Sequence, residues 1–435
     1  MNAAWPTRKL CDIADIRVSN VDKKIHATEK PVKLCNYMDV YSNEYVTSRL
    51  EFMEGSASTA EIERFGLTCG DVVITKDSET PDDIAIAAVI AEAIDRLVCG
   101  YHLALIRPNP DQLDSIYLAK QLSTSRVARY FALHASGSTR YGLPISVIES
   151  VSIPTPPKPE QTKIAEILST VDLAIEQTEA LIAKQHRIKT GLMQDLLSRG
   201  IDDHGNLRTE QTHAFKDSLL GRIPVEWEVK RLDETTTKIA DRDHTTPVYV
   251  EDGVLMVSPM AFYNDEGIAF VRCPQITRKA HLLNSRKTDC RPGDIILHRI
   301  GAGLGRVRVV AEEHPEFSIL HSLAVVRPKA QQTDTSFLKW AFRSFELQKQ
   351  MGLGTQSIGV PDLGLDKIGA LLFKIPESLD EQRKLGTLLD SNQRLLDDQY
   401  GSVGKLRSLK VALMQDLLTG KRRVTPLLDP EVPTR

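Results

Sequence analysis

The chain has 435 residues, with 55 Lys and Arg against 58 Asp and Glu, a net charge of −3 and 41% hydrophobic residues. This suits a soluble protein of two or three domains; no run approaches the roughly eighteen apolar residues of a membrane helix, and the first residues lack a signal peptide's apolar core. The near-neutral balance excludes a generally polybasic nucleic-acid binder, so any field for DNA comes from a local patch or a basic partner.

Six cysteines (Cys11, Cys35, Cys69, Cys99, Cys273, Cys290) are scattered without a CxxC pair. Reduced thiols, a cytoplasmic location and no metal site are expected. The histidines show no metal-ligand spacing, and His102 and His321, beside strand-like segments, read as structural.

Residues 1–155 form a first globular unit. Gly70-Asp71 before Val72-Val73-Ile74 predicts a turn into a buried strand, and residues 98–108 a further strand. Residues 115–133 predict one helix, followed by the loop Gly137-Ser138-Thr139-Arg140-Tyr141. A proline-rich lead at 153–159 opens a long helix over 156–200. Its seam reads Ile164, Leu168, Val171, Ile175, Thr178, Ile182, Gln185, Lys189, Leu192, Leu196, in alternating steps of four and three. Pro159 is tolerated in the first turn, and Gly200 marks the stop. Residues 201–220 are polar and read as a linker.

The same plan then returns. Trp5 to Leu10 aligns with Trp227 to Leu232, Gly70-Asp71 with Gly293-Asp294, and Leu103 to Pro108 with Leu323 to Pro328. Gly137-Ser138 aligns with Gly354-Thr355, and residues 318–328 and 335–351 predict the matching strand and helix. Residues 221–375 thus form a second globular unit, and 376–424 a second long helix, with Asp380 as its cap and Gly420 as its stop. Glu160-Gln161 recurs as Glu381-Gln382, and Leu192-Met193-Gln194-Asp195-Leu196-Leu197 as Leu413-Met414-Gln415-Asp416-Leu417-Leu418, with no gap between these anchors. A helix demands such fixed spacing, since one inserted residue rotates later side chains by about 100°. The second seam reads Leu385, Leu389, Asn392, Leu396, Gln399, Val403, Leu406, Lys410, Leu413, Leu417. Residues 425–435 read as a tail.

Two arrangements fit the seams: helices docked separately on their own domains, or helices packed on each other. The narrow seam kept over about five heptads favours the second, with polar seam positions fixing register. The first helix, roughly 60 Å long, delivers the second globular unit to its far end. The second helix must then run back if the seams are to meet. The expected fold class is α+β: two homologous globular α/β domains and two long helices forming an antiparallel coiled coil, with an approximate twofold. The halves differ most over residues 19–65 and 241–285, where two copies can acquire different jobs.

In this order the doubled motifs resemble the specificity (S) subunits of type I DNA restriction-modification systems. The resemblance covers nearly the whole chain. It rests on the lead Gly221-Arg222-Ile223-Pro224-Val225-Glu226-Trp227, the two Gly-Asp strands, the Gly-Ser-Thr and Gly-Thr-Gln loops, and the two helices ending LMQDLL. The first copy departs by lacking the Ile-Pro lead and starting almost directly at Trp5. The resemblance implies two target recognition domains, each reading half of a split double-stranded DNA sequence, with the helices setting the gap. It further implies two methyltransferase subunits docked around them and a motor-nuclease subunit that can join. S-adenosylmethionine, ATP and magnesium would sit on those partners. Twofold-related readers suit half-sites about one helical turn, ~34 Å, apart.

Catalytic signatures are missing. No Asn/Asp-Pro-Pro-aromatic methyltransferase tetrapeptide occurs, and Glu228-Val229-Lys230 lacks the upstream acid of a nuclease motif. Gly301-Ala302-Gly303-Leu304-Gly305-Arg306 resembles a phosphate loop but lacks a clear following helix, so a turn is expected. The chain therefore reads as a non-catalytic binding subunit without cofactor or metal.

DNA reading needs Arg, Lys, Asn, Gln and Ser/Thr on loops that reach base edges. The candidates are Lys76, Ser138, Thr139, Arg140 and Tyr141 in the first unit, and Arg242, His244, Thr245, Arg299, Arg306, Thr355, Gln356 and Ser357 in the second. Residues 1–155 carry 16 Lys and Arg against 20 Asp and Glu, and residues 215–375 carry 22 against 20. Such balances predict weak DNA binding alone and tight binding with partners. The competing reading is a scaffold that homodimerises through its helices with no DNA role.

Overall fold

The Gly-Asp motif shows why the two halves fold alike. In the computed structural model, which describes residues 5–355 and 359–428, Gly70 takes a positive φ and Val72–Thr75 follows as a fully buried strand. The Asp71 carboxylate turns back under it and accepts two 2.7 Å bonds from Arg107 and one from the Thr68 amide. Arg107 is the penultimate residue of the strand Leu103–Pro108, which pairs with Val72–Thr75. Asp294 and Arg327 repeat the arrangement at 2.7 and 2.8 Å under Ile295–His298. The repeated Asp and Arg are thus an ion pair of a buried carboxylate with a partly exposed guanidinium, stapling neighbouring strands.

The chain divides into two compact units, one of residues 1–179 with 401–435 and the other of residues 180–400. In the first, a five-stranded sheet runs in the order Ala14–Val18, Leu103–Pro108, Val72–Thr75, Ala87–Ile90, Tyr45–Val46. A three-stranded sheet of Met53–Ala57, Lys30–Cys35 and Leu97–Cys99 accompanies it. In the second, Thr236–Asp241, Leu323–Pro328, Ile295–His298 and Val307–Val309 repeat the first four strands of the larger sheet.

Two sequence expectations are corrected here. Residues 98–108 and 318–328 each break into two strands, Leu97–Cys99 with Leu103–Pro108 and Phe317–Ile319 with Leu323–Pro328. Residues 115–133 and 335–351 each form two helices, Ser115–Leu122 with Ser125–His134 and Thr335–Arg343 with Phe345–Gly354. The second pair breaks at Ser344, whose hydroxyl caps the Leu347 amide.

The long helices span Lys158–Arg199 and Leu379–Leu418. Ser378, not Asp380, caps the second, accepting from the Glu381 amide at 3.3 Å. That helix stops six residues short of 424, with Gly420 at φ +73°. Within each unit the start of one helix lies antiparallel to the end of the other. In the first unit Glu160 meets Arg423, Asp172 meets Lys410 and Glu179 meets Arg407, ascending on one helix and descending on the other chain segment. In the second, His186 meets Tyr400, Lys189 meets Gln393 and Leu196 shares a core with Leu385 and Leu389. Every seam residue is buried or half-buried.

Two polar devices fix this packing. Glu160, in the first turn of its helix, accepts from Trp5 Nε1 at 3.0 Å, Thr425 Oγ1 at 2.6 Å and the Arg423 guanidinium at 2.9 Å. Thr425 is thus anchored. Glu381 repeats this with Trp227 Nε1 at 3.3 Å, the Ile201 amide at 3.1 Å and buried Arg208, so residues 201–220 are no mere linker. Gly200 is required at this clasp: its φ is +61°, and a Cβ would lie 2.2 Å from Glu381 Oε1 and 2.5 Å from the Trp227 ring. The second device explains the seam lysines. Lys410 and buried Lys120 converge on Asp172 at 2.7 and 2.5 Å, joined by Glu44. Lys339 meets Asp390 at 2.5 Å, and Lys189 meets Gln393.

Candidate nucleic-acid interface

In each unit the described candidates gather at one rim of the larger sheet. Ala104 pairs with Val18, and Leu103 with Thr75, so these strands end or begin at a common edge. Lys76, Asp77 and His102 follow immediately. Tyr141 and Gly142 add onto Ser78 and Asp77 as a short antiparallel ladder, and the Leu143 amide donates to the Lys76 carbonyl at 2.8 Å. The loop is thereby hooked over the rim, bringing Lys76, Ser138, Thr139, Arg140 and Tyr141 together. Gly137 makes the turn: its φ is +145°, and a Cβ would come within 2.0 Å of the Arg140 carbonyl oxygen. Ser138, Thr139 and Arg140 are exposed, Tyr141 half so. Lys76 is tempered by Asp77, 3.2 Å away, which also meets His102 Nδ1 at 2.7 Å.

The second unit repeats the hook. The Leu363 amide donates to the Arg299 carbonyl at 3.0 Å and the Gly301 amide to the Pro361 carbonyl at 2.9 Å, laying residues 359–363 over the rim. Lys76 and Arg299 thus hold equivalent backbone places, but their side chains differ. Arg299 is buried and turned inward: it donates to the Leu363 carbonyl at 2.9 Å, the His321 carbonyl at 3.1 Å, Asp241 at 3.1 Å and Asp362 at 2.7 Å. That set of bonds removes Arg299 from the DNA-contact candidates and makes it the bolt of the rim.

Arg242 is likewise corrected. It is buried, donates to the carbonyl and hydroxyl of Thr245 at 2.9 and 2.8 Å and to Asn284 at 3.2 Å, and so shapes the loop that presents its neighbours. Burial pushes its guanidinium below the ordinary value. Thr245 and His244 are exposed. The His244 ring lies 4.7 Å from that of His321, whose imidazole is pushed down by burial and then by His244, Arg242 and Arg299. At the next hairpin Arg306 is exposed and donates to the Phe262 carbonyl at 3.1 Å. Thr355 is half-buried and donates to the Gly352 carbonyl at 2.8 Å. Gln356 and Ser357 lie outside the described residues.

Residues 301–306 form the turn between Ile295–His298 and Val307–Val309, with Gly301 and Gly305 at positive φ. Strand, turn, strand is a hairpin, not the helix-opening loop that cradles a nucleotide. The rims therefore offer short polar side chains, imidazole and guanidinium on stiffly anchored loops, suited to hydrogen bonding and charge. Sequence reasoning missed their counter-ions Asp77, Asp241 and Asp362, whose only signal was an acid near the end of a predicted strand or loop. Among the described residues no helix is long and apolar enough to cross a membrane.

Residues 2–184 match the sequence family described as "Type I restriction modification DNA specificity domain". A putative type I restriction enzyme MjaX specificity subunit of Methanocaldococcus jannaschii is 22% identical over 97% of this chain and 94% of its own length. The type I restriction enzyme MjaVIII specificity subunit of the same organism is 27% identical over 65% of this chain and 64% of its own. The crystal structure of a type I restriction-modification system S subunit from M. genitalium superposes with a TM-score of 0.60 at 16% identity, covering 96% of each chain, which shows a shared fold.

Proposed function

We propose, from the premise that this chain is a type I restriction-modification specificity subunit, that each globular domain reads one half of a bipartite DNA target. The rim loops, residues 138–141 in the first domain and His244, Thr245 and Arg306 with neighbouring loops in the second, are the parts that meet the DNA. The observation that carries this reading is the hooked loop built twice, at the same sheet rim, with different side chains in each copy. Shared backbone and divergent chemistry are what two readers of different sequences require. The long helices set the half-site gap and provide the surface on which methyltransferase subunits, and through them motor-nuclease subunits, assemble. The chain contributes recognition without catalysis, and S-adenosylmethionine, ATP and magnesium are held by those partners. The homodimerising scaffold is disfavoured, because within each unit the apolar seam is already covered by the chain's own other helix.

Exchanging residues 1–155 for those of a relative is expected to change one half of the methylated sequence and leave the other half and the gap unaltered. Mapping methylated sites across a host genome reads this out, and a change in both halves or in neither would defeat modular reading. Inserting one heptad into each long helix adds about 10 Å to each rod, so the gap is expected to widen by about three base pairs. An unchanged gap would reject the spacing role.

A further inference from the structure

We propose that the second globular domain carries a phosphate-binding pocket formed by Arg306, Arg308 and Arg343. These side chains, with Gly305, Val307, Gln348 and Asp265, line a pocket of about 210 Å³. Its floor is Arg308, only 2% exposed. The guanidinium donates to the carbonyls of Gly267 at 2.9 Å, Val307 at 2.7 Å, Tyr263 at 3.2 Å and Asn264 at 2.6 Å, and lies over the Phe262 ring. None of these partners is a carboxylate. A buried cation hydrogen-bonded only to carbonyl dipoles is costly, and a native fold normally pairs it directly with an anion. Burial pushes Arg308 down to about 10, with Arg306 and Arg343 adding to the shift and Glu266 and Asp265 opposing it.

Around this floor the charge remains positive. Arg343 pairs with Glu266 at 2.6 Å, while Arg306 is exposed and bonded to one carbonyl. Asp265 is the lining carboxylate, 3.5 Å from Lys189. Three guanidiniums thus lie among two carboxylates; the donors of Arg308 and Arg343 are engaged by protein acceptors and supply positive field, and the exposed fork of Arg306 is the one that reaches a tetrahedral oxyanion.

The strand pairing itself does not need this charge. In the second domain Arg308 pairs with Ile296 across the ladder. In the first domain the equivalent pair is Val73 with Ala88, and Ala88 is fully buried. The arginine is therefore peculiar to one copy. The ligand is a phosphate group, and on the reading proposed above, on which this inference rests, it is a backbone phosphate of bound DNA. The pocket would then anchor the second domain without contributing to base choice.

The test uses the chain assembled with its methyltransferase subunits, in two arms. In the first, affinity for DNA is measured across salt concentrations for wild type, Arg306→Gln and Arg308→Met. Loss of one phosphate contact is expected to lower the slope of log affinity against log salt by about 0.9, equally for target and non-target DNA. In the second arm, thermal unfolding is compared in sodium phosphate and in sodium chloride of equal ionic strength. Phosphate is expected to stabilise wild type more than either variant. A phosphate effect lost in Arg306→Gln with an unchanged salt slope keeps the pocket and assigns it to free phosphate. No difference between wild type and Arg306→Gln in either arm overturns it, whether or not Arg308→Met folds. Failure of the wild-type complex to bind any DNA defeats the DNA-reading proposal instead, and the phosphate arm alone then decides the pocket.

Discussion

Glu381→Ala is expected to destabilise the second unit by about 3–5 kcal/mol, the range for removing one partner of a buried ion pair. The substitution leaves the Arg208 guanidinium buried and strips acceptors from Trp227 Nε1 and the Ile201 amide. The readout is a lower urea midpoint with an unchanged slope for that unit's transition. Glu160→Ala is expected to cost less, about 1–3 kcal/mol, because Arg423 keeps 24% of its side chain in solvent and rehydrates when its partner goes. Equal losses at the two sites would show that burial of the arginine does not set the cost. Burial alone would raise the Glu160 carboxyl, but the bonds from Arg423, Thr425 and Trp5 outweigh it and hold it below the ordinary value. Its folded value is therefore depressed. The associated stability is fully present above the unfolded value of about 4.3 and disappears as pH falls through the depressed folded value.

Asp390→Ala is the second large effect, again about 3–5 kcal/mol. Asp390 accepts from Lys339 at 2.5 Å, Trp340 Nε1 at 2.8 Å and Ser336 Oγ at 2.6 Å, and Lys339 is buried. Glu266, 3.4 Å from the ammonium, offsets only part of the loss. Replacing both members, Lys339→Met with Asp390→Leu, is expected to recover most of the stability, since an apolar pair needs no desolvation of charge. If the double variant is as unstable as Asp390→Ala, packing rather than the stranded lysine carries the cost. Unfolding by denaturant on the three proteins decides this.

The long helices and their clasps were legible because they recur at fixed spacing: Glu160 and Glu381 stand out as repeated acids, and Trp5 and Trp227 as repeated aromatics. The polar seam positions were legible as exceptions, but their partners were not. Nothing local to Lys410 points to Glu44, 366 positions away along the chain. The rim was harder for the same reason. A basic residue after a strand looks alike whether it faces solvent, as Arg306 does, or is folded under acids 58 and 63 positions distant, as Arg299 is. Arg308 escaped notice because strand alternation gives it one side of the sheet without saying that this side is closed by Phe262 and Tyr263.

The first unit is assembled from both ends of the polypeptide, whereas residues 180–400 are one uninterrupted stretch. During synthesis the ribosome therefore releases everything the second unit needs while the first still lacks the segment holding Leu417, Leu418 and Arg423. The amino-terminal domain, though begun first, is completed only when the residues after 400 are added. Until then the Ile164 end of the first helix lacks the cover that Leu417 and Leu418 give it for the hundreds of residues still to be translated, an interval in which a chaperone or a neighbouring nascent chain has the opportunity to bind.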